Sequence, residues 1–173
     1  MEKKEKFMKE ALKEAQKAYS KLEVPVGAVI VKDDKIIARA HNLKETKTDT
    51  TKHAEILAIQ KASKKLKSWR LIDCEMYITL EPCPMCAGAI INSRIKKIYI
   101  GTQDKKTGAA GSVLNLFDDY IFNHKVETET GIMQEECEKT LQEFFKELRK
   151  IKKTKPWKIK TKIYLNLLLF CMA

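Results

Sequence analysis

Apolar residues recur along the chain with two different periods, and the switches between them divide it into helices and strands. From Glu2 to Leu22 the apolar positions are Phe7, Met8, Ala11, Leu12, Ala15, Ala18, Tyr19 and Leu22. That spacing makes one stripe on a helix. Val26 to Val31 is a short apolar run, followed by Asp33-Asp34 and then Ile36-Ile37. It predicts two strands joined by a tight turn. Thr50-Thr51 offers an N-cap for a helix running to about Leu66. Cys74 to Leu80 predicts another strand, and Pro84 suits the first position of a helix reaching about Ser93. Ile95 to Ile100 predicts a strand with Lys96 and Lys97 exposed. The stretch Thr107 to Ser112 is too glycine-rich for a regular element and predicts a loop. Val126 to Thr128 predicts a short strand. Gly131 to about Lys152 predicts a helix with Met133, Cys137, Leu141, Phe144, Phe145, Leu148 and Ile151 along one side. Helices alternating with short strands point to an α/β layered domain, with helices covering a mixed sheet.

The 173 residues are enough for one domain with a sizeable core. No Pro/Gly/Ser-rich linker, internal repeat or low-complexity block divides them. The formal net charge is +11, from 34 basic and 23 acidic residues. Such a balance either draws polyanions, nucleic acid above all, or reflects a lysine-rich solvated surface. The five cysteines are Cys74, Cys83, Cys86, Cys137 and Cys171. Their odd number and the absence of a signal peptide argue for a reducing cytoplasm over a disulfide framework. Cys74 lies in a strand pattern and Cys137 on a helix, where each reads as a small core residue.

Two short runs carry the chemistry: His53-Ala54-Glu55 and Pro82-Cys83-Pro84-Met85-Cys86. One imidazole and two thiols make a three-ligand set for zinc. Three protein ligands leave a coordination position open for water, which distinguishes catalytic from structural zinc. His53 and Glu55 lie about 200° apart around a helix axis, so they converge only near the helix end. Cys83 and Cys86 are about one turn apart. The simplest geometry has two helix N-termini aimed at one metal, where the helix dipoles favour thiolates. Glu55 is then a carboxylate beside the metal, free to carry protons. A structural zinc knuckle would need a fourth ligand. His41 and His124, the other histidines, do not have that spacing.

H-x-E followed by P-C-x-x-C is the signature of zinc-dependent nucleoside and nucleobase deaminases. The wider run includes Val24 to Val29, His41-Asn42, Thr51 to Glu55, Arg70 to Asp73, Thr79 to Cys86 (TLEPCPMC) and Ala87-Gly88-Ala89. It continues with Ser93-Arg94-Ile95 and Asp104 to Ser112 (DKKTGAAGS). Over about residues 5 to 150 the chain resembles bacterial tRNA-specific adenosine deaminases. The resemblance implies a three-layer α/β/α fold around a mixed five-stranded sheet, of the cytidine deaminase-like kind. It implies conversion of adenosine to inosine at the wobble position (34) of a tRNA anticodon by a homodimer with one Zn²⁺ per subunit. His53, Cys83 and Cys86 would bind zinc, and Glu55 would shuttle protons between water, the ring nitrogen and departing ammonia. Asn42 and the Ala54 backbone would hold the base, carbonyls near Glu81 and Pro82 would face the reacting centre, and Asp104 and Lys106 would contact RNA. A base to be deaminated must leave its stack, so a single-stranded anticodon loop is a suitable substrate. Thr50, Lys52 and Asn92 depart from the family pattern, at helix entry and the pocket rim.

Residues 1–152 are thus expected to form the deaminase domain, and residues 153–173 a basic, then apolar, non-catalytic extension. Ile163 to Ala173 is too short to span a bilayer, which needs about 20 apolar residues, so no membrane is expected. The stretch from Lys146 to Lys155 either grips phosphates or is a solvated face. Phe144-Phe145 reads as core more readily than as a stacking platform, and His124 as a hydrogen-bonded histidine. Two other functions compete. A guanine, cytosine or cytidine-nucleotide deaminase would share the zinc set. A zinc-stabilised RNA-binding module would have no use for Glu55.

Overall fold

The structure is a computed structural model and describes residues 3–119 and 121–154. The chain divides into two compact units, Met1–Leu141 and Gln142–Ala173. In chain order the elements are α1 (Lys3–Tyr19), β1 (Gly27–Lys32), β2 (Lys35–His41), α2 (Lys44–Lys47), α3 (Ala54–Leu66), β3 (Glu75–Leu80), α4 (Pro84–Asn92), β4 (Lys97–Thr102), β5 (Glu127–Thr130) and α5 (Gln134–Thr154).

The strands form one sheet in the order β2-β1-β3-β4-β5. β1 is antiparallel to β2 and β3, whereas β3, β4 and β5 run parallel. Asp33 and Asp34 close the β1–β2 hairpin with φ of 48° and 59°. Two positive φ values match the right-handed twist of the flanking strands, as a two-residue hairpin requires. Alternation along each strand then sorts the side chains. Ala28, Ile30, Met76, Ile78, Ile98 and Ile100 pack with Ala54, Ala58 and Ala62 of α3 and Ala87, Ile90 and Ile91 of α4. Val29, Val31, Tyr77 and Tyr99 pack with Phe7, Met8 and Ala11 of α1 and with Cys137. These three layers, with a mixed five-stranded sheet in the middle, are the expected fold.

At Gly27 the backbone of α1 lies close against the sheet. A Cβ there would stand 2.0 Å from the Ala11 carbonyl oxygen and 2.6 Å from the Ala15 nitrogen. Backbone cannot yield as a flexible side chain can, so the helix must lift. Gly27→Ala is expected to destabilise the protein by about 1–3 kcal/mol, the usual size for overpacking. Urea unfolding checks this; an unchanged midpoint would refute the close approach.

Several boundaries differ from expectation. β4 begins at Lys97, two residues later than predicted. α5 begins at Gln134 because Gly131 and Met133 adopt φ of 86° and 54°, outside the helical region. The short α2 has no apolar period to announce it. It forms where Glu23, 1% exposed, accepts hydrogen bonds from the Glu45 and Thr46 N–H groups. The apolar segment 163–173, and the extension from residue 155 onward, lie outside the described residues.

Candidate metal centre and active site

Both ligand-bearing runs sit at helix starts. His53 is the N-cap of α3, with extended backbone (φ −76°, ψ 152°). The cap expected at Thr50-Thr51 therefore lies two residues further on. Thr51 instead donates its N–H and hydroxyl to Asp49 Oδ1, and these bonds hold the Asp49 carboxyl at about 2. Cys83 is the N-cap of α4 (φ −74°, ψ 169°), and Pro84 follows where the helix needs no N–H. Two helix N-termini thus converge, one from each side of β3 along the chain.

The His53 Nδ1 atom lies 3.7 Å from Cys83 Sγ and 3.5 Å from Cys86 Sγ. All three ligand atoms lie within 4.8 Å of one another. Zinc bonds of about 2.3 Å to sulfur and 2.0–2.1 Å to nitrogen, at a tetrahedral angle, separate the two atoms by about 3.6 Å. The group is therefore the right size to hold such an ion. The Cys86 thiol and His53 pull Cys83 down to about 4 against the opposing effect of burial. Cys86 is pushed up by its hydrogen bond with Cys83 and by burial, so Cys83 ionises first. The hydrogen bond to Cys83 in turn raises the His53 pKa, against burial.

Glu55 stands in the first turn of α3, 3% exposed. Its Oε2 is buried without a hydrogen-bond partner among the described residues. Burial pushes its carboxyl above the usual range; its own backbone and His53 oppose this. A buried carboxyl with a raised pKa and an uncommitted oxygen can take a proton and release it. An orphaned acceptor in a packed protein commonly marks a reaction site or an absent ligand.

The sequence-predicted substrate residues divide into two places. Asn42, 8% exposed, lies one residue beyond β2, and its Oδ1 accepts the Ala54 N–H at 2.8 Å. The Ala54 N–H is thereby committed, and the bond fixes the Asn42 side chain against the start of α3. Asp104 and Lys106 lie on the loop after β4. The Asp104 carboxylate accepts the Lys106 and Thr107 N–H groups and the Thr107 hydroxyl, so it shapes the loop, while Lys106 is exposed. The Pro82 carbonyl accepts the Ala109 N–H at 2.9 Å, which ties this loop to the residue before Cys83. Sequence reasoning missed the Glu81 carboxylate, which receives further bonds from the same loop. An acidic residue ending an apolar strand was the available signal.

A family model described as MafB19-like deaminase matches residues 2–149. The tRNA-specific adenosine deaminase of Bacillus subtilis is 52% identical over 149 residues, covering 86% of this chain and 92% of its own. The enzyme of the same name from Aquifex aeolicus is 49% identical over 146 residues, covering 84% and 96%. The chain belongs to the tRNA-specific adenosine deaminases. Among solved structures, one from a study of A-to-I editing by tRNA:A34 deaminases at the wobble position of transfer RNA overlays with a TM-score of 0.76. It is 41% identical and covers 79% of this chain and 99% of its own. A guanine deaminase from Bacillus subtilis overlays less well, with a TM-score of 0.55 at 34% identity over 68% of this chain and 85% of its own.

In this deaminase the remaining histidines do structural work. The His124 ring lies 2.8 Å from the Ile95 carbonyl, a hydrogen-bonded histidine as expected. His41 Nδ1 meets the buried Glu14 carboxylate at 2.8 Å, pinning α1 to β2. Phe144 is buried and Phe145 is 41% exposed. Lys52 is paired with Asp49 and so braces the loop entering α3. Cys74 and Cys137 are buried free thiols, as their patterns predicted. Among the described residues, no helix is long and apolar enough to cross a membrane.

Proposed function

We infer that the protein hydrolytically deaminates adenosine to inosine at the wobble position of a tRNA anticodon, with one Zn²⁺ per subunit on His53, Cys83 and Cys86. The observation that carries the reading is the buried Glu55 Oε2, unpartnered among the described residues, beside a His/Cys/Cys group of zinc dimensions. His53, Cys83 and Cys86 would hold the zinc ion, and its charge would make a nearby water acidic enough to yield hydroxide near neutral pH. Glu55 would take one proton from the attacking water and pass it to the adenine ring nitrogen as the water oxygen adds to C6. It would then take the second proton from that oxygen and pass it to the amino group, so that the C6–N bond breaks and ammonia leaves. The Glu55 carboxyl suits both directions because burial has raised its pKa. Asn42, held by its bond to the Ala54 N–H, presents its amide to the base. Lys106 meets RNA phosphate, and Asp104 acts by shaping the loop that carries it.

Residues 1–152 form the catalytic domain in this reading, and it works as a homodimer in the cytoplasm. Support for a partner copy comes from the outer side of α4. Met85 is 37% exposed, Asn92 is exposed, and a Cβ on Gly88 would meet nothing within 4 Å. A second copy can approach that backbone closely.

The decisive assay offers the purified protein three substrates separately: an anticodon stem-loop with adenine at the wobble position, free guanine, and free cytosine. Inosine from the stem-loop alone is the expected result. Turnover of free bases alone would replace this reading with that of a nucleobase deaminase.

A further inference from the structure

Glu81 stands between the end of β3 and the first metal-ligand cysteine, 4% exposed. Its carboxylate accepts four hydrogen bonds, all from the loop that follows β4. Oε1 receives the N–H groups of Ala110 at 2.8 Å and Ser112 at 3.1 Å. Oε2 receives the Asp104 N–H at 2.9 Å and the Ser112 hydroxyl. An ionised carboxylate has about four acceptor sites, so its capacity is filled by one loop. Gly108 lies across it so closely that a Cβ would stand 2.4 Å from Glu81 Cδ. The next residue, Pro82, takes the Ala109 N–H. The loop is therefore fastened at two consecutive residues, immediately before Cys83.

We propose that Glu81 is a positioning residue for substrate recognition, which sets the place of loop 104–112 and its Lys106 relative to the metal-ligand segment. Its carboxylate is committed to that loop and is not part of the His53, Cys83 and Cys86 group. This rests on the reading above that the loop meets RNA. The reason for a carboxylate is chemical: all four groups that reach it are donors, and only an all-acceptor head serves four donors at once. A glutamine of the same shape sets its NH₂ either against the Ala110 and Ser112 N–H groups or against the Asp104 N–H and the Ser112 hydroxyl, so at least one bond becomes a repulsion and the loop lifts.

The test uses the full chain carrying Glu81→Gln, with steady-state kinetics on the anticodon stem-loop, zinc per chain, and amide hydrogen exchange. KM is expected to rise about tenfold, the size of one or two lost buried hydrogen bonds. The kcat should stay within about threefold and zinc content should not change. Exchange at Asp104, Ala110 and Ser112 should quicken by about tenfold or more. Ser112→Ala removes only the hydroxyl and should move KM and exchange the same way by a smaller factor, which keeps the test available if Glu81→Gln does not fold. A fall in kcat at constant KM, a loss of zinc, or unchanged exchange in the loop would overturn the proposal. Wild-type protein inert on the stem-loop would count against the RNA reading instead, and the exchange data would still decide whether Glu81 positions the loop.

Discussion

Glu55→Gln is expected to lower kcat by about 10³–10⁴-fold while the protein keeps its metal and its fold. The rate loss is the upper part of the range for removing a positioned general acid–base group. The amide has the same shape but cannot take a proton from water and pass it on. Metal should stay at about one ion per chain, because the group that could hold it is His53, Cys83 and Cys86, without Glu55. Stability supplies the sharper signature. The wild-type side chain is 3% exposed and its Oε2 has no hydrogen-bond partner among the described residues. A buried polar atom left in that state costs about 1–3 kcal/mol, so a residue kept there for packing would be expected to have been satisfied. The thermal midpoint of Glu55→Gln should therefore equal or exceed that of wild type. Kinetics, metal analysis and a melting curve on the same preparation check all three. Loss of metal would mean that Glu55 is a ligand, and a lower midpoint with partial activity would mean that its role is structural.

Cys86→Ala should abolish both metal binding and turnover, and it should lower the melting temperature by the same amount as a strong chelator lowers that of wild type. Cys86 is fully buried in the first turn of α4, with its sulfur 3.5 Å from His53 Nδ1. Without it only two ligand atoms remain, too few for a tight site. Metal that binds the folded state alone stabilises it by mass action, about 4 kcal/mol at a thousandfold excess over the dissociation constant. For a chain of this length that corresponds to roughly 10 °C. Adding chelator to Cys86→Ala should then have no further effect on its melting temperature. Acid should mimic the chelator, since thiolates and a neutral imidazole are needed for binding and protons compete for all three. One metal per chain in Cys86→Ala would refute the assignment of ligands.

Legibility in the sequence followed the range of the interaction. The two runs that form the His53, Cys83 and Cys86 group and carry Glu55 were readable because each lies within one helical turn, so local spacing and helix-start residues describe most of their geometry. The strands were readable because Val29 and Val31 must face one layer and Ala28 and Ile30 the other, and alternation records that. Helix entry was read less well. The threonines before His53 look like caps, yet Thr51 bonds Asp49 and His53 takes the cap position itself. The α2 turn depends on Glu23, whose partners lie 22 and 23 residues away, and no local pattern encodes that bond.

Glu81 marks the same boundary most clearly. Its position beside Pro82 and Cys83 is part of a motif, but its four donors lie 23 to 31 residues further on. By itself the sequence determined the layered α/β architecture and the candidate His/Cys/Cys group with a carboxylate beside it, since periodicity and one-turn spacing are local properties of the chain. Tertiary structure alone decided how closely the two helix N-termini meet, that the Glu55 oxygen is buried without a partner among the described residues, and that the Asp104 carboxylate serves its own loop while Glu81 holds that loop in place. Each of these depends on which distant segments the β1–β3–β4 register brings side by side, and register is set by packing across the whole sheet.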